Sequence, residues 1–334
     1  MTSVPDSLSR RMDAVVCAGF EGPTALAVGD LPVPVPGAGE VLIAVAAAGI
    51  SYVDVLMVRN LHQNKHELPF APGMEVAGVI AELGPGVTGF EIGQQVAALV
   101  YDGGHARLAK ARASETFALP QGCDPVRAAA LLSVALTAEL ALTERARVQA
   151  GETVLVGGAA GGVGICAVQL AHWRGARVIA AASDAERCAF ACAAGADAAL
   201  VYGAGFRERF RALNKDRDAD IVIDPVGGAF AEVAANLLEW DGRYIVIGFA
   251  GGAIPNFAAN RLLVKNRAVM GMVLGFYRWQ RPQILRTAAD AVLAALAAGA
   301  LDVPIEVVQG LEAVPGVLER IAGRQILGKA VVVL

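Results

Sequence analysis

Between Val156 and Ala171 the chain reads VGGAAGGVGICAVQLA, and no other stretch restricts its fold as strongly. An apolar run, TVLVGG, leads into it, and the apolar spacing beyond the glycines is that of a helix. Ala159, Gly161 and Gly164 fall on the G-x-G-x-x-G frame, with alanine in its first slot. Gly161 lets backbone approach a pyrophosphate, and Gly164 lets the helix pack closely on a sheet. The helix N-terminus offers unpaired N–H groups and the positive end of its dipole. A second strand, ARVIAAAS, follows. Strand, turn, helix and strand together predict a dinucleotide site on Ala159, Ala160, Gly161, Gly162, Val163 and Gly164. A merely tight turn would leave the density of small residues from Gly157 to Gly164 unexplained.

The strand–helix order repeats downstream. DAERCAFACAAG reads as helix, and AALVY, DADIVID, GRYIVIGF and AVMGMVLG read as strands separated by helical segments. These strands are nearly continuous apolar runs, as parallel strands covered on both faces are. The pattern predicts an α/β, doubly wound parallel sheet. Upstream, DAVVCAG, EVLIAVAAAGI, EVAGVIAEL and QQVAALV are short β-rich runs broken by PVPVPGAG, PFAPG and GPGVTG, a barrel-like or sandwich texture. The last sixty or so residues hold one long helix, Ile284 to Ala297, then IEVVQG, a short helix and GKAVVVL, read as strands returning to the first domain. The expected division is a mostly β domain of residues 12–126 and 271–334, a nucleotide-binding domain of 127–270, and a polar tail of 1–11.

The 334 residues are 55% apolar and carry a net charge of −4, which offers no basic field for nucleic acid. No uninterrupted run of about 18 uncharged apolar residues reads as a membrane span, and the polar start has no secretory-signal pattern. Five cysteines, an odd number without framework spacing, point to a reducing compartment and a cytoplasmic protein. Cys188/Cys192 and His62/His66 stand four apart, a spacing that can ligate a metal. Without further Cys or His beside them, they read as packing and as a solvated loop respectively.

The second strand of the βαβ unit ends at Ser183 with no carboxylate at Ala181 or Ala182, where an NAD site usually places one. Arg187 lies one helical turn on and matches a 2′-phosphate in charge and planarity. Asp184 is either a ribose ligand or the N-cap of the next helix. The balance favours NADPH over NADH.

LPFAPGMEVAGVIAELGPGVTGFEIGQQV, GETVLVGGAAGGVGICAVQLA and GRYIVIGFAGG, in this order, strongly resemble the zinc-free quinone oxidoreductase (zeta-crystallin-like) branch of the medium-chain dehydrogenase/reductases. The resemblance covers nearly the whole chain from Met12 and implies a GroES-like, mostly β catalytic domain beside the Rossmann domain. It places Ser51, Tyr52 and Asp54 of GISYVDVLM on cleft-facing positions. Zinc-dependent relatives carry a cysteine ligand in that segment and a histidine where Met74 stands, and a cysteine-rich lobe that is missing here. The resemblance further implies Thr137 near the nicotinamide; Ser183, Arg187 and Tyr202 at the adenosine phosphate; Val226, Gly248 and Phe249 beside the nicotinamide ribose; and Arg324 reaching toward the phosphate. Departures from the family pattern fall at Ser51, Asn60, His62, GQQV and GGHARL.

Without a metal to polarise a carbonyl, the chemistry suits an electron-poor acceptor, a quinone or an α,β-unsaturated carbonyl. Tyr52, and more weakly Ser51, could donate to it, with packing as the alternative role for Tyr52 and loop anchoring for Asp54. An enoyl-thioester reductase is a second reading, with Arg59, Lys65, Arg278 and Arg281 for coenzyme A phosphates or else as solvated surface charges. A non-catalytic, crystallin-like NADPH binder or an RNA-binding protein is a third, and the acidic balance argues against RNA. RAVMGMVLG reads as an apolar final strand of the sheet, a liability unless paired. Since two such edges meet across a two-fold axis in the resembled family, the resemblance implies a homodimer joined near Val269–Val273.

Overall fold

A computed structural model of the chain describes residues 10–334. Of the segment read as a tail, residues 1–9 lie outside the described residues, and Arg11 already opens the first strand. The chain divides into two compact units, one running up to Leu132 and resuming at Ile305–Leu334, the other Ser133–Pro304.

The first unit begins with an antiparallel pair, β1 (Arg11–Val16) and β2 (Ala27–Pro32). There follow β3 (Glu40–Ile50), a short helix α1 (Tyr52–Met57), β4 (Glu75–Leu83), β5 (Gln95–Leu99), β6 (Leu108–Arg112) and β7 (Thr116–Ala118). β3 is the hub: it pairs antiparallel with β4 and with β6. Gly49 in β3 answers a close approach, since a β-carbon there would lie 2.5 Å from the Ala129 carbonyl and 2.6 Å from the Glu75 side chain.

Helix α2 (Pro125–Leu140) runs on as one π-helical turn, Ala141–Ala146. By length and composition this helix could cross a membrane, yet 67% of its apolar window is buried, as in a core helix.

The second unit then alternates β8 (Thr153–Val156), α3 (Gly162–Trp173), β9 (Arg177–Ala182), α4 (Ala185–Ala193), β10 (Ala198–Val201), α5 (Phe206–Leu213), β11 (Ala219–Asp224), α6 (Gly228–Ala234), β12 (Leu238–Val246), α7 (Ala259–Leu263) and β13 (Ala268–Gly271). All pairings are parallel, in the order β10-β9-β8-β11-β12-β13. β8 is buried along its whole length and β9 at all but its first residue, as their apolar runs require. Two helices close the unit, α8 (Leu274–Gln280) and α9 (Pro282–Ala297). The expected strand AVMGMVLG is thus cut short: it stops at Gly271, and Leu274 starts a helix.

The return to the first unit also falls later than expected, at residue 305 rather than 271. α9 buries Leu285, Ala289, Val292 and Leu293 in the second unit. Beyond it, Asp302 exchanges two hydrogen bonds with Gln169 of α3, at 3.1 and 2.9 Å, which holds the segment to that unit. Only β14 (Ile305–Gln309), α10 (Val314–Ala322) and β15 (Lys329–Val333) go back. β15 pairs antiparallel with β3 and parallel with β14, completing a sheet ordered β14-β15-β3-β4-β5-β7.

Candidate functional site: a nucleotide crevice and the Ser51 segment

From β8 the chain winds outward through β9 to β10, then returns to β11 on the other side of β8. The crevice at the carboxyl ends of β8 and β11 is where open α/β sheets bind ligands. The glycine turn lies there. Gly158 adopts φ +56°, and a β-carbon on it would sit 3.0 Å from Val226 Cγ2. Gly161 is exposed and N-caps α3; only Gly158 O lies near its missing β-carbon, at 3.3 Å, so its outer side is open. The helical ladder begins with Ile165 N donating to Gly161 O at 2.8 Å, which leaves the amides of Gly162, Val163 and Gly164 ahead of it. Such an open row of amides fits a pyrophosphate.

Several predicted positions have other duties. Gly164 is needed not against the sheet but against its own turn: a β-carbon there would lie 2.2 Å from Gly158 O. Ala159 and Ala160 are buried, and the Ala159 amide donates to Ala181 O at 3.1 Å, so these two shape the turn. The Tyr202 hydroxyl accepts from Gly158 N at 2.5 Å and donates to Ala181 O at 3.0 Å. Burial pushes its pKa up, and it ties the turn to β9 instead of standing open for a phosphate.

At the end of β9, Asp184 is the N-cap of α4. It accepts from Arg187 N at 2.9 Å, from Arg187 Nη1 at 2.5 Å and from the Ser183 hydroxyl at 2.8 Å. These contacts pull its pKa down to about 2, the Arg187 backbone amide contributing most. The carboxylate is occupied, while Arg187 is held at the end of the second strand with part of its side chain exposed. Val226 and Gly248 are half-buried and Phe249 is 43% exposed, all on loops following β11 and β12. Thr137 is half-buried in α2, its hydroxyl donating to Ser133 O at 2.8 Å.

In the first unit, Ser51 N-caps α1 in extended conformation, and its backbone N–H donates to Asp54 Oδ2 at 2.7 Å. Asp54 is fully buried, with Oδ1 lacking any hydrogen-bond partner. It anchors the turn, the alternative role the sequence offered for it, and its carboxylate is closed to solvent. Tyr52, the first residue of α1, is 46% exposed. Met74 packs on the apolar core of this unit. Arg324, exposed at φ 58° after α10, also belongs to this unit.

The histidines are not a solvated loop. His66 is 8% exposed, its Nδ1 lies 2.9 Å from Asp102 Oδ2, and its ring centroid is 4.8 Å from that of Phe70. Burial, then the His66 charge, lowers the pKa of His62. His105 of GGHARL is wholly buried and donates Nε2–H to Gly49 O at 3.1 Å, so this departure is structural. Cys188 is buried and Cys192 exposed. Arg59, Lys65 and Arg281 are exposed, but Arg278 is 7% exposed and no solvated charge. Sequence reasoning passed over Asp224 and Tyr244, which meet at 2.5 Å under the β11 and β12 loops. The one signal was an aspartate closing the run DADIVID.

A Rossmann sheet with an open amide turn at its switch point, joined in one chain to a β-rich unit, defines a nucleotide-dependent dehydrogenase or reductase. Residues 37–123 match the alcohol dehydrogenase GroES-like domain, and residues 162–303 match the zinc-binding dehydrogenase domain. The quinone oxidoreductase-like protein 2 of Bos taurus is 34% identical over 328 residues, covering 97% of this chain and 93% of its own. The quinone oxidoreductase of Rattus norvegicus is 32% identical over 266 residues, 79% of this chain and 80% of its own. The structure of mycobacterial Rv1454c complexed with NADPH superposes with a TM-score of 0.88 at 29% identity, covering 97% of this chain and all of that one. The chain belongs to the quinone oxidoreductase-like proteins of the medium-chain dehydrogenase/reductase superfamily.

Proposed function

We propose that this protein transfers a hydride from NADPH to a quinone or an α,β-unsaturated carbonyl without a metal. The observation that carries the reading is the open turn at the β8/β11 switch point, where Gly161 and the amides of Gly162, Val163 and Gly164 suit a pyrophosphate. A related structure holding NADPH supports the choice of cofactor, and the placement of Arg187 at the end of β9 supports the phosphorylated form. The bound nicotinamide supplies the hydride.

This chain's own residues bind and orient. The glycine turn receives the phosphates, Tyr202 keeps that turn on β9, and Arg187 pairs with the 2′-phosphate, for which it exchanges or shares its contact with Asp184. At Ser51 and Met74 the side chains are a hydroxyl and a thioether, a donor set that suits neither a thiolate–imidazole zinc site nor carbonyl polarisation by a metal. That supports an acceptor already electron-poor, with the half-exposed Tyr52 hydroxyl donating to its oxygen.

NADPH consumption against a panel of quinones, enones and enoyl-CoA esters tests this reading. Turnover is expected with quinones or enones and unchanged after chelation and dialysis. Reduction of enoyl-CoA alone would replace the acceptor class. One stoichiometric zinc with activity lost on its removal would overturn the metal-free mechanism. For the cofactor, Arg187→Glu is expected to weaken NADPH by about 1–3 kcal/mol, through loss of a charge-assisted contact plus repulsion. NADH should bind about as before. Equal loss of both, measured as dissociation constants, would remove Arg187 from phosphate recognition.

Two further properties belong to this reading. Among the described residues β13 is a sheet edge paired only with β12, and α7 before it leaves Leu263 77% exposed, followed by Val264 at 66%. Such an edge is covered in solution by a second copy, so light scattering should give a homodimer at micromolar concentration, and a stable monomer would count against it. The second is a cytoplasmic location, proposed from the odd number of cysteines without framework spacing.

A further inference from the structure

Asp224 is the last residue of β11 and is completely buried. Its Oδ1 accepts the amides of Val226 at 2.7 Å and Gly227 at 2.9 Å, and its Oδ2 accepts the Tyr244 hydroxyl at 2.5 Å. Its backbone carbonyl accepts from Ile247 N at 2.9 Å, the first residue beyond β12. One residue therefore gathers both loops on this side of the crevice. The loops are also laced to each other, Gly251 N to Val226 O at 2.7 Å and Ala250 N to Pro225 O at 3.1 Å.

The hold is needed. Gly227 and Gly228 stand at φ 70° and 54°, outside the conformations that most residues adopt, and a β-carbon on Gly227 would lie 2.9 Å from Ala253 O. No cation pairs with Asp224 among the described residues, and burial pushes its carboxyl pKa up. Its charge is stabilised by three hydrogen bonds, of which Tyr244, itself wholly buried, supplies the only one from a side chain. On the other side of the crevice, the glycine turn and β9 are held by a different tyrosine, Tyr202.

We propose that Asp224 and Tyr244 are a positioning pair that sets the nicotinamide half of the cofactor site, while the adenosine half is set separately through Tyr202. The inference rests on the NADPH reading above, because Val226, Gly248 and Phe249 ride on the two loops that Asp224 gathers. Neither Asp224 nor Tyr244 touches the cofactor; each acts through loop backbone.

A fragment of the cofactor separates the halves. Affinities for NADPH and for adenosine 2′,5′-bisphosphate are measured for the wild type, Tyr244→Phe and Asp224→Asn. Tyr244→Phe keeps the ring that fills the core and removes only the hydroxyl. NADPH is expected to bind about 10-fold more weakly to both variants, with the fragment unchanged within about twofold. KM for NADPH should rise with the same split. NADPH binding within about twofold of wild type in Tyr244→Phe, or a parallel loss of both ligands, would overturn the proposal. A wild type that fails to bind NADPH would instead remove the functional reading beneath it. Should Asp224→Asn not fold, amide exchange on the wild type decides: NADPH should protect Val226, Gly227 and Ile247, and the fragment should not. Equal protection by both would overturn it.

Discussion

With an enone as acceptor, Tyr52→Phe is expected to lower kcat and kcat/KM together by about 10- to 1000-fold, the range for one lost donor to a developing oxyanion. The ring stays, so NADPH affinity should hardly change. Tyr52 opens α1 at 46% exposure, and none of the hydrogen bonds among the described residues uses its hydroxyl. It is thus not retained for an internal bond, as Tyr202 and Tyr244 are. Ser51 and Asp54 hold the segment still through the 2.7 Å bond from Ser51 N, so the tyrosine rides on an ordered turn. An enone is the fairer substrate because quinones accept hydride readily without assistance. Undiminished enone turnover in the Phe variant would leave simple juxtaposition of donor and acceptor as the mechanism.

Lys329→Met is expected to destabilise the first unit by about 3–5 kcal/mol, because it leaves a buried carboxylate without its cation. Lys329 Nζ lies 2.8 Å from Glu75 Oε1, and the two side chains are 4% and 2% exposed. The ammonium also reaches the Ile50 carbonyl at 3.4 Å, one residue before Ser51. The pair therefore joins β15, β4 and the end of β3 beneath the Ser51 turn. A loss of that size is a large share of the ~5–15 kcal/mol that stabilises a domain, and calorimetry should show the unfolding midpoint fall by roughly 10 °C. Replacing both partners, Glu75→Leu with Lys329→Met, should recover much of it, since no unpaired charge remains. A Lys329→Met protein as stable as wild type would show the pair to be energetically idle.

Much of the architecture was legible because it rests on local repetition. Parallel strands covered on both faces must be apolar along their length, so β8, β9 and β11 stood out as runs. A strand–glycine–helix turn has few alternatives, and it lies at the sheet's switch point. Where boundaries depended on which surface an element packs against, the reading slipped. AVMGMVLG is apolar enough for one long strand, but the chain turns at Gly271 into α8, and α9 stays with the second unit because its apolar face and the Gln169–Asp302 contacts hold it there.

Side-chain duties were the least legible, because a polar group's partner is often distant in sequence. Asp54 and Tyr52 are neighbours in one motif, yet one is sealed in the core and the other stands out in solvent. Asp184 was open between ribose ligand and helix cap until the positions of Ser183 and Arg187 around its carboxylate decided for the cap. His66 resembled a loop histidine until Asp102, far along the chain, closed on it.

By itself the sequence determined the two-part α/β and β-rich architecture, the dinucleotide turn, the family and the positions where zinc ligands would otherwise stand. The architecture and the turn follow from periodicity and from the steric uniqueness of glycine, and the family and the zinc-ligand positions from the resemblance of short motifs; all are properties of short segments. The tertiary structure alone decided that Gly164 yields to Gly158 O, that Tyr202 and Asp224 are spent on holding loops, and that the last unit boundary lies at Ile305. Those depend on how the folded chain brings groups together, some a few residues apart and others, such as Tyr202 and Gly158, far apart in sequence. They are settled only when burial forces each polar group to find the partner that packing has brought within reach.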